Sequence, residues 1–502
     1  MKSYFLSWNR LFVLLQLIVN CSAAVAQHLP VQLDSFYNAL DADRKINGNV
    51  LIAEGTDLIY EKSFGFAGLT PQIPNAADTR FNMASVSKPF TAVAIFQLIE
   101  KKELHLDDKL SRYFPDFPFE SVTIRHLLSH TSGLPNTEAL FSPLLERAPG
   151  YQVKNADLVP ELKAYAKPLQ FSPGEKYEYC NTGFSLLALL VEKLSGEKFP
   201  AYLKKHIFLP AGMLHSSVGG PPGSAGRSGT AVNFIRPAPY SSTLQPVNEV
   251  PVLRKWTFNW SMLYGQGNIY ATGGDMLLFD RALFSGKLVS PGSLNQMFSP
   301  VKLNNGSIPY FRAGIDEASY GLGWFIYKHD DGGKVVWHSG GIPGMNSFFL
   351  HNLKTGQVIV TTDNAGNATI APETYLLLSG KSFVYKRSLA LIYARLLLEQ
   401  GIDQASSSLA GLRNDQRYVL SEGELNFLGL RLFEDGYTQL GMEALKVNAL
   451  LFPESFNVYD SYGEVLLKTG NREAAKLMYQ KSVNLNPKNE GGLKALRQLA
   501  NE

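Results

Sequence analysis

Cysteine is nearly absent: Cys21 and Cys180 are the only two in 502 residues, too few for a disulfide framework. An excess of either charge is missing as well. Lys and Arg number 47 against 44 Asp and Glu, a formal net charge of +3, and that balance gives no argument for a nucleic-acid partner. The apolar run Leu11–Val19 near the N-terminus falls short of the roughly 20 residues that span a bilayer. His126 and His130 are four apart, but no Glu follows His126 as in a zinc-binding His-Glu-x-x-His helix, and no third ligand suggests itself. Packing and loop hydrogen bonds account for the pair, so neither a metal nor another cofactor is expected. What remains is 45% hydrophobic, 12% aromatic and 18% charged. That is the composition of a folded globular protein, with length for about two to four domains.

Residues 1–26 read as an export signal, with Lys2 and Arg10 as the basic part, Leu11–Val19 as a short apolar core and Ala24-Val25-Ala26 as the cleavage site. The mature chain then starts at Gln27 in the periplasm or outside the cell. Ile18-Val19-Asn20-Cys21 offers lipidation on Cys21 as the alternative, although Asn20 fits poorly before the cysteine. Cleavage after Ala26 leaves Cys180 alone, and an intramolecular disulfide is excluded even in an oxidising compartment.

Asn47–Glu61 and Ser63–Ala67 predict a hairpin turning at Glu54-Gly55-Thr56-Asp57. The stretch Phe81–Ala92 then places Ser85 three residues before Lys88 at the head of an apolar run that continues to Lys101, the pattern of a helix buried on every side. If that helix begins at Ser85, the two side chains share a face, and a desolvated lysine amine can act as base to the hydroxyl. Pro89 lacks the N–H that would pair with the Ser85 carbonyl, so the first turn should be irregular. Taken alone the pattern is short, and a capped, solvated helix start explains it equally. Tyr179 and Asn181 flank Cys180 in a segment expected to be extended, which turns phenol and amide toward one cleft; a core tyrosine beside a capping asparagine is the plainer account.

Residues 219–260, rich in Gly, Pro and Ser, predict a long surface excursion of the kind that edges a binding site. Tyr320–Ile326, Val335–Gly341, Ser347–Leu350 and Val358–Thr361 predict four successive antiparallel strands, with His338 ending the second and Gly340 and Gly341 permitting close approach of a substrate backbone. Beyond Lys381 only helices are expected. Gln404–Ser408 reads as a linker, and Pro453 and Pro487 lie 34 residues apart, as do Gly429 and Gly463, and Gly436 and Gly470. That period resembles the tetratricopeptide repeat.

Ser85-x-x-Lys88, Tyr179-x-Asn181 and His338-Ser339-Gly340, in that order, resemble the three motifs of the serine β-lactamase and penicillin-binding-protein superfamily. The Tyr-x-Asn and His-x-Gly forms look most like its class C β-lactamase-like branch, which includes D-amino-acid peptidases and esterases. Thr123–Pro135 and Tyr320–Trp324 agree, and the likeness covers about residues 30 to 400. It implies an α+β fold with a central antiparallel sheet flanked by helices and a helical subdomain. It also implies a hydrolase domain over 27–400, followed by repeats over 401–502. Ser85 would be the acylated nucleophile, Lys88 and Tyr179 would move its proton, and Asn181 would orient the substrate amide and Lys88. The amides of Ser85 and Gly341, beside Gly340, would form the oxyanion hole. The third motif of class C β-lactamases proper is Lys-Thr-Gly, so His338 puts efficient β-lactam hydrolysis in doubt; it would either attract a substrate carboxylate or relay a proton to Tyr179, the relay being preferred. The expectation is an exported serine hydrolase of small-molecule or peptide substrates. An esterase is the alternative within the class, and a non-catalytic scaffold the alternative outside it. The repeats are the expected place for a protein partner. No Gly-x-Ser-x-Gly elbow occurs, which excludes the α/β-hydrolase arrangement.

Overall fold

The computed structural model describes residues 29–165, 167–219, 229–314, 316–327, 334–379 and 384–501; the expected export segment, with Cys21, lies outside them. The chain divides into two compact units, residues 1–235 with 245–383 and residues 236–244 with 384–502.

The first unit is organised on an antiparallel sheet with eight strands among the described residues. Their order is Phe311–Ala313, Asp316–Tyr320, Phe325–Tyr327, Val335–Ile342, Met345–Asn352, Gln357–Asp363, Gly48–Glu54 and Asp57–Phe64. The early hairpin forms as expected, with Gly55 at φ +57 in its turn. Two strand expectations change. Gly321–Trp324 is the turn of a hairpin, not part of a strand: Gly321 N–H donates to the Trp324 carbonyl and Gly323 has φ +89. His338 lies in mid-strand, because Gly340 and Gly341 continue the pairing opposite Ser347 and Asn346.

Both faces of the sheet are covered, which is why its strands read as near-continuous apolar runs. Val358 and Val360 join the main core with Phe90, Phe96 and Phe279, whereas Ile359 between them faces a second cluster with Trp337, Phe348 and Tyr375. The helix Ser87–Glu100 is buried except at Gln97, Ile99 and Glu100, and Phe90 stacks on Phe279 with ring centroids 3.9 Å apart. On the other face, residues 29–42 are helical and Tyr37 donates or accepts a 2.6 Å hydrogen bond with Thr374 of the helix Ile370–Leu378. The 219–260 segment is more regular than expected. Phe234–Ile235 pairs with Gln245–Pro246, and Pro251–Asn259 is a helix with proline at its first position; residues 220–228 lie outside the described set.

The second unit is mainly helical, but not helices only as expected, because Arg387–Ser388 pairs in parallel with Tyr418–Val419. The polar stretch Gln404–Ser408 is not a linker but the middle of the helix Ile402–Leu412, whose Ala405 and Leu409 are buried. The 34-residue offset has a structural counterpart: the pair Glu422–Glu434 and Thr438–Leu451 is followed by the pair Phe456–Lys468 and Arg472–Leu485. Gly429 and Gly463 sit at the close crossing within each pair. A Cβ at Gly429 would come within 2.9 Å of Leu445, and one at Gly463 within 3.3 Å of Tyr479. Residues 236–244 belong to this unit through Ala238 and Tyr240, which pack with Leu389 and Tyr393; the Tyr240 hydroxyl donates to the Asp435 carboxylate.

Candidate active site

Ser85 stands on a turn that the backbone holds under strain. Phe81–Asn82 pairs with Ile269–Ala271, Met83 N–H donates to the Ile269 carbonyl, and Ala84 then adopts φ +44. A residue with a Cβ rarely takes that conformation, and it persists only where the surroundings over-determine it. Here Asn82 Oδ1 accepts the Ala84 N–H at 2.8 Å, and Ser347 Oγ donates to the Met83 carbonyl at 2.6 Å. Residues Ala84–Val86 form a 3₁₀ turn, and the α-helix begins at Ser87 rather than at Ser85. This is the irregular first turn that Pro89 led one to expect.

Lys88 is wholly buried. Its Nζ lies 2.9 Å from Ser85 Oγ, 2.8 Å from Asn181 Oδ1 and 2.9 Å from the Gln266 carbonyl oxygen. The Tyr179 ring faces it, 4.8 Å from Nζ to centroid. Burial holds this amine well below the ordinary lysine range, with Cys180 and Glu138 acting weakly the other way. Nζ donates to all three oxygens; once it has lost a proton it can keep the bonds to Asn181 Oδ1 and the Gln266 carbonyl and turn its lone pair to the Ser85 hydroxyl.

Tyr179 ends an extended stretch and Asn181 opens the helix Asn181–Ser195. Both reach Lys88, whereas Cys180 turns away and buries its thiol against the Leu134 and Pro135 carbonyls. Burial pushes the Tyr179 phenol up, while a hydrogen bond with Ser85 pulls the other way; it stays a proton donor at neutral pH. Asn181 N–H donates to Asn136 Oδ1 at 2.8 Å.

The third motif is placed differently from the expectation. His338 is buried, its Nδ1–H donates to the Ser339 carbonyl oxygen at 2.7 Å, and its Nε2 accepts from the Tyr320 hydroxyl at 3.1 Å. With both nitrogens engaged, neither is offered to Tyr179, whose ring centroid is 6.4 Å away. Burial, with Lys88 nearby, pushes the His338 pKa down to about 3, so the side chain is neutral at working pH and supplies no charge for a substrate carboxylate. Gly340 has no room for a side chain: a Cβ there would lie 2.8 Å from the Ser85 amide nitrogen and 2.4 Å from the Met83 carbonyl oxygen. Gly341, exposed on the same strand, lines with Ser85 a cleft of about 140 Å³.

The rest of that lining was not singled out from sequence. Trp256 and Trp260 come from the Pro251–Asn259 helix and its end, Tyr270 from the strand beside the nucleophile turn, and Gln266 and Glu138 from separate loops and helices. Glu138 is the one charged side chain among the described residues of the lining. The histidines four apart do not act together. His126 caps its own helix through Thr123, whereas His130 lies past the helix end and accepts the Cys180 N–H. Among the described residues no group of three His, Cys, Asp or Glu could hold a metal ion.

The sheet with its flanking helices and the meeting of Ser85, Lys88, Tyr179 and Asn181 define a β-lactamase/transpeptidase-like fold with its nucleophile motif assembled. Comparison with known proteins agrees. The Beta-lactamase family model matches residues 33–379, and the chain belongs to that family. It is 31% identical over 431 residues to penicillin-binding protein 4* of Bacillus subtilis (strain 168), covering 83% of this chain and 92% of that protein. It is 27% identical over 318 residues to D-aminopeptidase of Brucella anthropi, covering 62% of this chain and 55% of that protein. A penicillin binding protein from Bacillus halodurans superposes with a TM-score of 0.57 at 28% identity, over 68% of this chain and 98% of that one.

Two outcomes follow from this geometry. Gly340→Ala should lower kcat/KM by about 10²-fold, since the methyl must displace the Ser85 amide and misplaced reacting groups cost that much; wild-type activity in the folded variant would contradict it. KM for an acidic substrate should show no step near the ordinary histidine pKa of about 6.5, because His338 stays neutral down to about 3; initial rates from pH 5 to 9 check this.

Proposed function

We propose that the chain is an exported serine hydrolase working through an acyl-enzyme on Ser85. The observation that carries the reading is the buried Lys88 amine held between Asn181 Oδ1, the Gln266 carbonyl and Ser85 Oγ. In the neutral form it takes the Ser85 proton as the hydroxyl oxygen attacks a carbonyl carbon. The Ser85 and Gly341 N–H groups receive the negative charge that develops on the carbonyl oxygen, which needs no reorganisation because both are fixed beforehand. The Tyr179 phenol then passes a proton to the leaving group and is refilled by the proton that Lys88 took from Ser85, so both end neutral; in deacylation water gives up its proton along the same path, attacks the acyl carbon and leaves Ser85 protonated again. Asn181 orients both Lys88 and the substrate amide.

The Tyr-x-Asn and His-x-Gly forms favour the class C β-lactamase-like branch, and the name of the Brucella anthropi relative, a D-aminopeptidase, favours peptide or amide substrates of the D-amino-acid type. The cleft supports this. Its described lining is aromatic and amide-rich with Glu138 as its one charge, which suits a substrate bearing an amine and disfavours one bearing a carboxylate. Carboxylate-bearing β-lactams then acylate poorly. The features of residues 1–26 support export, and the paired helices at a 34-residue offset support a tetratricopeptide-like role in holding a protein partner.

A panel of a D-amino-acyl anilide with a free amine, its N-acetylated form, a p-nitrophenyl ester and a chromogenic β-lactam tests the reading. The free amine should be favoured over the acetylated form by about fivefold, the size of one solvent-exposed charge pair, and Glu138→Gln should remove the preference. Ser85→Ala should abolish turnover of every substrate; activity persisting in that variant sinks the proposal.

A further inference from the structure

The stretch His130–Asn136 belongs neither to the nucleophile turn nor to the Tyr179 segment, yet it lies along the latter like a template. The helix Ile124–Leu128 ends, His130 takes φ +58, and the reversed chain runs beside residues 170–182. Glu178 N–H donates to the His130 carbonyl at 2.9 Å and Gly174 N–H to that of Thr131 at 2.8 Å. Thr182 Oγ1 donates to the Pro135 carbonyl at 2.7 Å. Gly133 has to be glycine there, since a Cβ would lie 2.1 Å from the Phe171 carbonyl oxygen. One side chain of this stretch acts on the centre of the second motif. The His130 ring is buried, its Nδ1 accepts the Cys180 N–H at 3.0 Å, and its ring centroid is 4.2 Å from that of Tyr179.

We propose that His130 is a positioning residue, which holds Tyr179 and Asn181 against Lys88 by accepting the Cys180 amide between them and bracing the Tyr179 ring. The inference rests on the hydrolase reading above. Cys180 N–H is the fixed point midway between the phenol and the amide oxygen, so its height sets both. With Nδ1 accepting, the proton sits on Nε2, and that nitrogen is buried with no hydrogen-bond partner. A leucine of similar bulk would leave no such unmatched donor, whereas it would also leave the Cys180 N–H without its acceptor. The histidine therefore serves the Tyr179–Asn181 segment at the expense of its own second nitrogen, which a residue kept only for packing has no reason to do.

The test compares His130→Leu with His130→Asn in the full chain, because an asparagine Oδ1 can stand near the Nδ1 position and keep the acceptor. With a substrate that the wild type turns over, His130→Leu should lower kcat about 10²-fold with KM within about threefold, and His130→Asn should stay within about tenfold of wild-type kcat. Full activity in His130→Leu overturns the proposal, as does a His130→Asn no better than His130→Leu, which would reduce the role to ring packing. Should His130→Leu not fold by circular dichroism, His130→Asn decides alone: kcat within tenfold supports the assignment, and a larger loss or failure to fold contradicts it. A wild type that is acylated by nothing removes the hydrolase reading and this one with it, whereas an active wild type with an indifferent His130 removes only this one.

Discussion

A single buried amine organises the site. Lys88 Nζ sits in full burial with two carbonyl-type oxygens and a hydroxyl around it and no carboxylate in contact. An ammonium there would be expensive, because a buried charge without a counter-ion loses hydration that three neutral oxygens only partly replace. Burial therefore lowers the pKa of the amine, and the three oxygens hold it at hydrogen-bond distance from Ser85 in either charge state. The chemistry of the Ser85–Lys88 pair is thus a consequence of where the helix Ser87–Glu100 lies in the core, and that placement follows from its apolar residues on every face.

Everything else near Ser85 serves to keep that pairing at hydrogen-bond distance while leaving the hydroxyl open. The left-handed Ala84 lifts Ser85 out of the strand line before the helix starts, and Asn82 and Ser347 hold the turn from both sides. The Val335–Ile342 strand comes up against it so closely that position 340 has no room for a side chain. His338, two residues earlier, is locked by Tyr320 and the Ser339 carbonyl. Its ring packs with Tyr320, Phe325 and Tyr179 in one aromatic cluster.

Much of this was legible in the residues themselves. The i, i+3 spacing placed Ser85 over Lys88, although a 3₁₀ turn and not an α-helix carries the serine. Alternation around Cys180 correctly turned Tyr179 and Asn181 to one side. The 34-residue offset survives as two helix pairs with glycines at their crossings. Other features were illegible because they depend on partners far away in the chain. The Gln266 carbonyl meets Lys88 from 178 positions along the sequence, and a backbone oxygen leaves no compositional trace. His338 looked like a titratable group because its Tyr320 partner lies in a neighbouring hairpin whose turn had been read as a strand. Gln404–Ser408 looked like a linker because its polar residues were conspicuous, whereas the burial of Ala405 and Leu409 on one helical face is what decides its structure.

The account stands or falls with the charge state of Lys88. The measurement that addresses it most directly is the rate of covalent labelling of Ser85 by a fluorophosphonate, followed by intact mass as a function of pH, in wild type and in Lys88→Met. Labelling in the wild type should reach its plateau well below the ordinary lysine pKa of about 10.4, and Lys88→Met should lose the fast reaction at every pH. A labelling rate that rises only near that ordinary value, or a Lys88→Met variant labelled as fast as wild type, would contradict the claim that a neutral lysine activates Ser85.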